Sequence, residues 1–177
     1  MAAAKKAVKK AAKKTASKTK TVGAIRAGNG KYHFPMAKLK KVPAGTGYST
    51  SHGGVIEGSR ILVGYIHKPR GTGSRMHTHN NEQLNYVLRG TLVGSVNGKK
   101  VVAPAGTLIY IPANAPHNLI ASPKDKDVIF LAIKDLSQGI IGMAVDGTMS
   151  GPHFEKGFGP AAKTARKKIT GRSAARR

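Results

Sequence analysis

The stretch that decides the fold is RMHTHNNEQLNYVLRG, residues 75–90. His77 and His79 are separated by one residue, and on an extended strand side chains two positions apart point to the same face. Two imidazoles on one face are the beginning of a metal-binding surface. Glu82 and Gln83 follow side by side, so the next ligand would be either a carboxylate or an amide oxygen.

A third histidine, His117, lies in a separate segment, PANAPHNLI, residues 112–120. Three imidazoles and one oxygen donor form a ligand set that a divalent metal ion accepts. The alternative interpretation is that these histidines only decorate a strand surface. The position of His117 in its own proline-flanked turn argues against that alternative. The remaining histidines match no ligand spacing; they are His33, His52, His67 and His153.

Around these segments the sequence predicts β-strands. From Val55 to Ile133, short apolar runs alternate with turn residues, and no segment combines helical period with helical length. Asn97-Gly98 between two such runs is typical of a two-residue hairpin. The predicted strands are Ile61–Ile66, Met76–Thr78, Leu84–Leu88, Leu92–Val96, Val101–Val102, Leu108–Ile111, Asn118–Ala121 and Val128–Ile133. We therefore predict an all-β sandwich or barrel.

The histidine segments carry two motifs that resemble those of the cupin superfamily. The first cupin motif is Gly, five residues, His-x-His, three or four residues, Glu, six residues, Gly. Here Gly71 is followed by five residues, His77-Thr78-His79, three residues, Gln83, six residues and Gly90. Glutamine thus stands where the family pattern has glutamate.

The second cupin motif is Gly, five residues, Pro, one residue, Gly, two residues, His, three residues, Asn. This sequence has Gly106 and Pro112 at the expected spacing, then Asn114, His117 and Ala121. Asn114 and Ala121 replace the family's Gly and Asn at a turn and a strand position. Between Gly90 and Gly106 lie 15 residues, the shortest spacing usual for the family.

The resemblance implies a double-stranded β-helix, or jelly-roll barrel, that binds one divalent metal ion inside. It implies His77, His79, Gln83 and His117 as ligands, with Glu82 as the alternative to Gln83. Strand alternation agrees, because it places Gln83 on the opposite side from Glu82. Some cupins carry glutamine at this position, so the substitution is compatible with a working site. The sequence does not distinguish Fe, Mn, Ni, Zn and Co.

Three further residues are predicted to contact a substrate. In an uninterrupted strand Arg75 would share the barrel interior with the histidines and bind a substrate carboxylate. Asn85 would orient a ligand or a bound water, and Tyr110 would supply a proton at the barrel mouth. The alternatives are a solvent-exposed arginine and two simple lining residues. No catalytic acid or base can be assigned from the sequence.

The predicted organisation has five segments. They are a disordered Lys/Ala-rich tail (1–22), an irregular extension (23–54), the barrel (55–135), a C-terminal extension (136–160) and a disordered basic tail (161–177). Within the extension, an edge strand is predicted near residues 33–42. The two tails together carry +15 of the formal net charge of +24. Loose binding of nucleic acid or another polyanion through the tails is one interpretation; solvated ends that serve solubility are the other. The tail residues considered for such binding are Lys5, Lys6, Lys9, Lys10, Lys13, Lys14, Arg166, Lys167 and Lys168.

Three functions follow as hypotheses. The first is a small metal-dependent enzyme, a lyase, isomerase or dioxygenase acting on a small anionic metabolite. The second is a non-catalytic barrel that holds metal or ligand, and the third is a dimeric barrel whose tails bind nucleic acid. Cysteine is absent, so thiolate ligands and disulfides are excluded. No secretory signal or membrane helix is expected, so we predict a cytoplasmic protein, and the resemblance to cupins implies a homodimer.

Overall fold

The fold is almost entirely β-structure. A computed structural model describes residues 18–28 and 30–160. Its strands are β1 (Ile25–Arg26), β2 (Val42–Pro43), β3 (His52–Glu57), β4 (Ile61–Lys68), β5 (Thr72–Gly73), β6 (His77–Thr78), β7 (Gln83–Arg89), β8 (Thr91–Val96), β9 (Lys99–Pro104), β10 (Leu108–Ile111), β11 (His117–Ala121), β12 (Val128–Asp135), β13 (Met143–Ala144) and β14 (His153–Phe154). The one helix in the described residues is a 3₁₀ turn at Met36–Lys38.

The first sheet contains the long, regular strands. Its order is β1-β3-β4-β12-β7-β10, with β2 paired to β3. β4 and β12 are antiparallel over their full eight-residue length, from Val128 opposite Lys68 to Asp135 opposite Ile61. In β12 every second residue is buried, with the partly exposed ones between them. This period-two pattern gives the strand one inward face, which ends at Lys134.

The second sheet contains shorter strands in the order β13-β6-β11-β5-β14, and β8 pairs with β11 on one side and with β9 on the other. His77 in β6 is the direct antiparallel partner of His117 in β11. Between β5 and β6 the chain leaves the ladder, because the backbone N–H of Arg75 donates to the carbonyl of Tyr48. The strand alternation predicted from Arg75 to His79 is therefore interrupted at Arg75.

The hydrophobic core draws on both sheets, which pack face to face. Leu62, Ile66 and Val87 from the first sheet and Leu92 from the second are fully buried. Each lies on the inward face of its strand. Close packing of these side chains holds the two sheets in fixed positions relative to each other.

Two turn positions explain how the motif spacing is realised. Asn97 and Gly98 both have positive φ, 49° and 74°, and they form the β8–β9 hairpin with Val96 opposite Lys99, which confirms the predicted turn. Asn114 also has positive φ, 62°. Asparagine tolerates this left-handed conformation better than most residues, so it can replace the glycine of the family motif there.

The predicted all-β fold is confirmed, with differences at its edges. Within the segment 33–42, Met36–Lys38 form a 3₁₀ turn rather than a strand, and the extension instead supplies the two-residue strands β1 and β2, both paired with β3. Thr21, assigned to the disordered tail, is instead buried. Its backbone N–H donates to the buried carboxylate of Glu57 at 2.7 Å. The chain thus joins the barrel before residue 22.

The rest of the two basic tails, residues 1–17 and 161–177, lies outside the described residues. The predicted disorder and polyanion binding of these tails accordingly stay predictions. Within the described part of the chain, no helix is both long and apolar enough to cross a membrane.

Candidate metal centre

Three histidines converge at one end of the barrel. His77 lies in β6, His79 directly follows that strand, and His117 begins β11. The pairing of β6 with β11 sets His77 against His117, and their ring centroids are 4.0 Å apart. The centroid of His79 lies 4.8 Å from that of His117. All three side chains are buried.

The backbone fixes the orientation of each imidazole. The Nδ1 atoms lie 2.8 Å from the carbonyl oxygen of Arg75 for His77, 2.7 Å from that of Asn81 for His79 and 2.9 Å from that of Ala115 for His117. Because a carbonyl oxygen can only accept, Nδ1 must carry the proton and donate in each case. The lone pair is then on Nε2 of every ring.

These lone pairs meet in a space suited to a metal ion. One ring nitrogen from each of the three histidines lies within 4.8 Å of the others. Nε2 of His79 is fully buried and has no hydrogen-bond partner. A buried nitrogen without a partner is costly for a fold, and a metal ion would satisfy it. The residues present therefore fit a divalent ion.

Burial keeps the three rings neutral at physiological pH. It lowers the pKa of His77 to about 2, with the charge of His117 adding to the effect. Burial, followed by the charge of Lys134, lowers the pKa of His79 to about 4. Burial also lowers the pKa of His117 to about 3. Neutral imidazole is the form that binds metal, so protons do not compete with a metal ion near pH 7.

Gln83 and Glu82 lie on opposite sides of the barrel wall. Gln83 lines the cavity together with the histidines, and its Nε2 donates to Oδ1 of Asn85 at 2.7 Å. Since the amide nitrogen is engaged, the carbonyl oxygen is free to face the cavity. Gln83 also lies near enough to His79 to favour the protonated form of that imidazole. Glu82 is exposed.

Two of the three predicted substrate contacts are placed elsewhere. The cavity is lined by Asn85 but not by Arg75 or Tyr110. Arg75 forms an ion pair with Asp146, because the break in the strand turns it away from the histidines. Tyr110 is on the outer face, where its hydroxyl donates to Glu82 at 2.8 Å. The structure thus places Arg75, predicted in the barrel interior, and Tyr110, predicted at the barrel mouth, outside the cavity lining, and their substrate contacts stay predictions.

Sequence reasoning missed a buried tyrosine. Tyr48 lines the cavity, and its ring centroid is 4.5 Å from that of His77. Its hydroxyl accepts a hydrogen bond from the backbone N–H of Gly142 at 2.7 Å, and burial raises its pKa to about 12. Tyr48 comes from the irregular extension, and neither strand alternation nor motif spacing signals its position.

Sequence reasoning also missed two buried lysines. Lys68 and Lys134 are each 3% exposed, both line the cavity, and burial lowers the pKa of each to about 7. They occupy opposite ends of the β4–β12 ladder. The available signal was strand alternation: Lys134 continues the inward series of Phe130 and Ala132. The predicted strands ended too early, at Ile66 and Ile133, to include either lysine.

The remaining histidines are held outside the cavity. His67 contacts His52 and, through Nε2, a carboxylate oxygen of Asp127 at 3.0 Å. His153 contacts Glu155 at 3.1 Å. Within residues 18–28 and 30–160, the one group of histidine and acidic side chains that meets metal-ligand spacing is the cavity triad.

The cavity is small and positively charged. The volume open to the centre of a water molecule is about 50 Å³. One ordered water needs ~10–15 Å³ measured in the same way. No carboxylate is among its lining residues in the described part of the chain. A compact ligand is thus the size that fits, and its charge would have to balance that of the lysines and of any bound cation.

Comparison with known proteins gives one family match and several similar solved structures. Residues 64–134 match the family described as cupin domain. The solved structure of KdgF from a Halomonas species is similar to this chain, with 16% identity over 60% of this chain and 93% of that one, and a TM-score of 0.50. An RmlC-like cupin from Shewanella frigidimarina covers 59% of this chain and 91% of its own, with 20% identity and a TM-score of 0.49. The search of curated proteins gave no match.

Proposed function

We propose that this chain, whose residues 64–134 match the cupin domain family, is a metal-dependent enzyme, a lyase, isomerase or dioxygenase, acting on a small anionic metabolite. The proposed ligands of one divalent ion are Nε2 of His77, His79 and His117 and the side-chain oxygen of Gln83. The observation that carries the proposal is the convergence of three neutral imidazoles, one of which has a buried Nε2 without a partner.

The four donors are all uncharged, which sets the character of the site. A divalent ion held by them would keep its full charge toward open positions, where it would polarise a carbonyl or carboxylate oxygen and lower the pKa of a bound water. Asn85 holds the amide of Gln83 in place through the bond to Gln83 Nε2, and three backbone carbonyls hold the imidazoles. Such outer contacts fix a ligand's orientation.

The charge around the site supports an anionic substrate. Lys68 and Lys134 are buried in the lining, and no carboxylate among the described residues lines the cavity beside them. The positive charge of the site as a whole would attract an anion and offset part of the cost of removing it from water.

Elemental analysis of protein purified without added metal tests the proposal. We expect close to one divalent ion per chain in the parent. His117→Ala should reduce metal affinity by at least about 100-fold, since the ~10–16 kcal/mol of a typical four-ligand zinc site is shared among its ligands. Gln83→Ala should reduce it less, and Glu82→Ala is the matched control that should leave it unchanged. Parent stoichiometry in both His117→Ala and Gln83→Ala would contradict the proposed ligand set.

A non-catalytic metal- or ligand-binding barrel is the second candidate function. It is favoured by the lack of a lining carboxylate among the described residues, because carboxylates are common general acids and bases. Turnover of small 2-oxo or 2-hydroxy acids by the metal-loaded protein would support the enzyme hypothesis. Tight binding of such acids without turnover would support a non-catalytic binding protein.

Homodimerisation, cytoplasmic location and polyanion binding by the tails stay predictions. The dimer is supported by exposed apolar side chains on neighbouring strands of the first sheet, since Tyr86 and Leu88 in β7 and Leu108 in β10 are 39%, 42% and 55% exposed. Exposed apolar surface of this kind is common at subunit contacts.

A further inference from the structure

Lys134 is a buried cation without a structural partner. It is 3% exposed and is the last inward-facing residue of β12. Its ammonium group makes no hydrogen bond or ion pair with any residue in 18–28 or 30–160. The adjacent carboxylate of Asp135 is engaged on the outer side, where it accepts from the backbone N–H groups of Glu82 and Ser137.

Lys68 provides the contrast within the same cavity. It is equally buried, but its Nζ donates to the carbonyl oxygen of Leu119 at 2.6 Å. The fold therefore gives Lys68 a hydrogen-bond partner and gives Lys134 none. Burying an ammonium group without a hydrogen-bond partner is costly, and the charge of the neighbouring Asp135 offsets only the smaller part of that cost.

We propose that Lys134 binds the carboxylate of a short-chain organic acid inside the cavity, and thereby takes the role that the sequence suggests for Arg75. This inference rests on the proposed function, since it names the substrate class of the same site. Arg75 is unable to fill the role because it is paired with Asp146 outside the cavity.

The surroundings of Lys134 favour an organic acid over an inorganic anion. The residues that precede it on the inward face of β12 are Phe130 and Ala132, and both line the cavity together with Ile140. These side chains would contact the carbon atoms of an organic acid, whereas an inorganic oxyanion would gain nothing from them. The small volume of the cavity limits the acid to a few non-hydrogen atoms beyond its carboxylate.

The position of Lys134 also relates the carboxylate to the histidines. Lys134 is the cross-strand partner of Gln83, and its charge acts on both His79 and His117. An acid anchored at Lys134 therefore has its remaining atoms beside the ligand set. A 2-oxo or 2-hydroxy acid would present a second oxygen there, which is the arrangement that a reaction at a metal centre requires.

The test is a titration of metal-free protein with acetate, followed through the assigned backbone amide NMR spectrum. Acetamide, which has the same shape but no charge, is the control ligand. We expect acetate to shift the amides near Ile133–Asp135 and Gln83, and acetamide not to do so. Lys134→Met should weaken acetate binding by at least about tenfold, the effect of losing a charge-assisted hydrogen bond.

Lys68→Met is the matched control variant, because it removes an equally buried ammonium whose hydrogen-bonding is already directed to Leu119. We expect it to weaken acetate binding by less than about threefold. Unchanged acetate binding in Lys134→Met, equal binding of acetamide, or an equal loss in both lysine variants would each overturn the assignment to Lys134.

A zinc titration of the same proteins separates this inference from the proposed function. Lys134→Met should still bind one equivalent of zinc, which also shows that the variant is folded. If the parent binds no zinc, the proposed function fails, while the acetate titration still decides the role of Lys134. If the parent binds both zinc and acetate and Lys134→Met loses only acetate, both proposals are supported.

Discussion

The cavity has two walls that hold their functional side chains in different ways. The histidine wall, β6 and β11 with the turns that flank them, uses short strands and backbone carbonyls to orient each imidazole. The lysine wall, β4 and β12, is a continuous eight-residue ladder that presents its lysines by strand alternation alone. The histidine wall therefore fixes its side chains by specific hydrogen bonds. The lysine wall places positive charge in the interior with few hydrogen bonds to it.

The largest expected effect is a loss of the protein's folding stability at low pH, caused by the three buried histidines of the histidine wall. Burial lowers the pKa of all three histidines far below the ordinary value of 6.5. The unfolded chain therefore binds more protons than the folded one in this range. Stability is fully present above about pH 6.5, and it falls as the pH drops toward about 4, by up to about 4 kcal/mol per pH unit for three protons.

Urea unfolding of metal-free protein at several pH values between 7 and 4.5 measures this slope. His117→Gln is the control and should lose about one third of the pH dependence. The exposed carboxylates with lowered pKa, such as Asp125 and Asp127, act only at lower pH. A flat profile between pH 6.5 and 4.5 would show that the histidine wall is open to water and is not the buried site described above.

The next effect concerns the lysine wall. Lys134→Met replaces an unpartnered buried ammonium with an apolar side chain of similar length, so we expect it to stabilise the protein by about 1–3 kcal/mol at pH 7. Lys68→Met should stabilise less, because it leaves the carbonyl of Leu119 with fewer donors. Thermal and urea unfolding at constant metal content measure both changes.

The pH dependence of this stabilisation has a defined sign. Burial lowers the pKa of Lys134 from its ordinary value of 10.5 to about 7, so the parent loses stability relative to Lys134→Met as the pH falls from about 10.5 to about 7. The gain from the substitution should accordingly be larger at pH 7 than at pH 10. A destabilised Lys134→Met at both pH values would mean that the ammonium has a structural role after all.

A smaller effect is expected from exchanging the amide and carboxylate at the start of β7. Gln83→Glu places a charged oxygen at the proposed ligand position and should raise affinity for a divalent ion by roughly tenfold. Glu82→Gln, the matched exchange on the outer face, should leave affinity unchanged. Isothermal titration with zinc or manganese measures both, and the opposite pattern would assign the ligand to Glu82.

The smallest effect should come from the outer face. Tyr110→Phe removes the hydroxyl that donates to Glu82, and because this hydrogen bond is exposed, we expect almost no destabilisation and no change in metal affinity. Unfolding and metal titrations check the two parts. A substantial loss of metal would indicate that Tyr110 contacts the site through a route that the structure does not contain.

The sequence predicts the histidine wall well because its information is local. The spacing of His77, His79 and His117 survives folding unchanged, and the hairpin at Asn97-Gly98 depends only on the conformations that these two residues tolerate. The choice of Gln83 over Glu82 as the residue facing the cavity likewise follows from alternation within one strand.

The interior roles that the sequence did not predict depend on long-range contacts. Arg75 leaves the barrel interior because its backbone pairs with Tyr48, 27 positions earlier in the chain, and this break in the strand changes which way the side chain points. Tyr48 itself reaches His77 from an irregular segment. Lys134 was hidden for another reason: a lysine at the end of an apolar strand usually marks the point where the strand meets solvent.

Three imidazole Nε2 atoms are proposed to bind one metal ion. A zinc titration monitored by histidine side-chain ¹⁵N NMR is the decisive test of this ligand set. We predict that the metal-free protein has protonated Nδ1 and unprotonated Nε2 in His77, His79 and His117. One equivalent of zinc should then shift these three Nε2 resonances together and leave His33, His52, His67 and His153 unchanged. Zinc-induced shifts confined to the latter four histidines, or no shifts at all, would contradict the account.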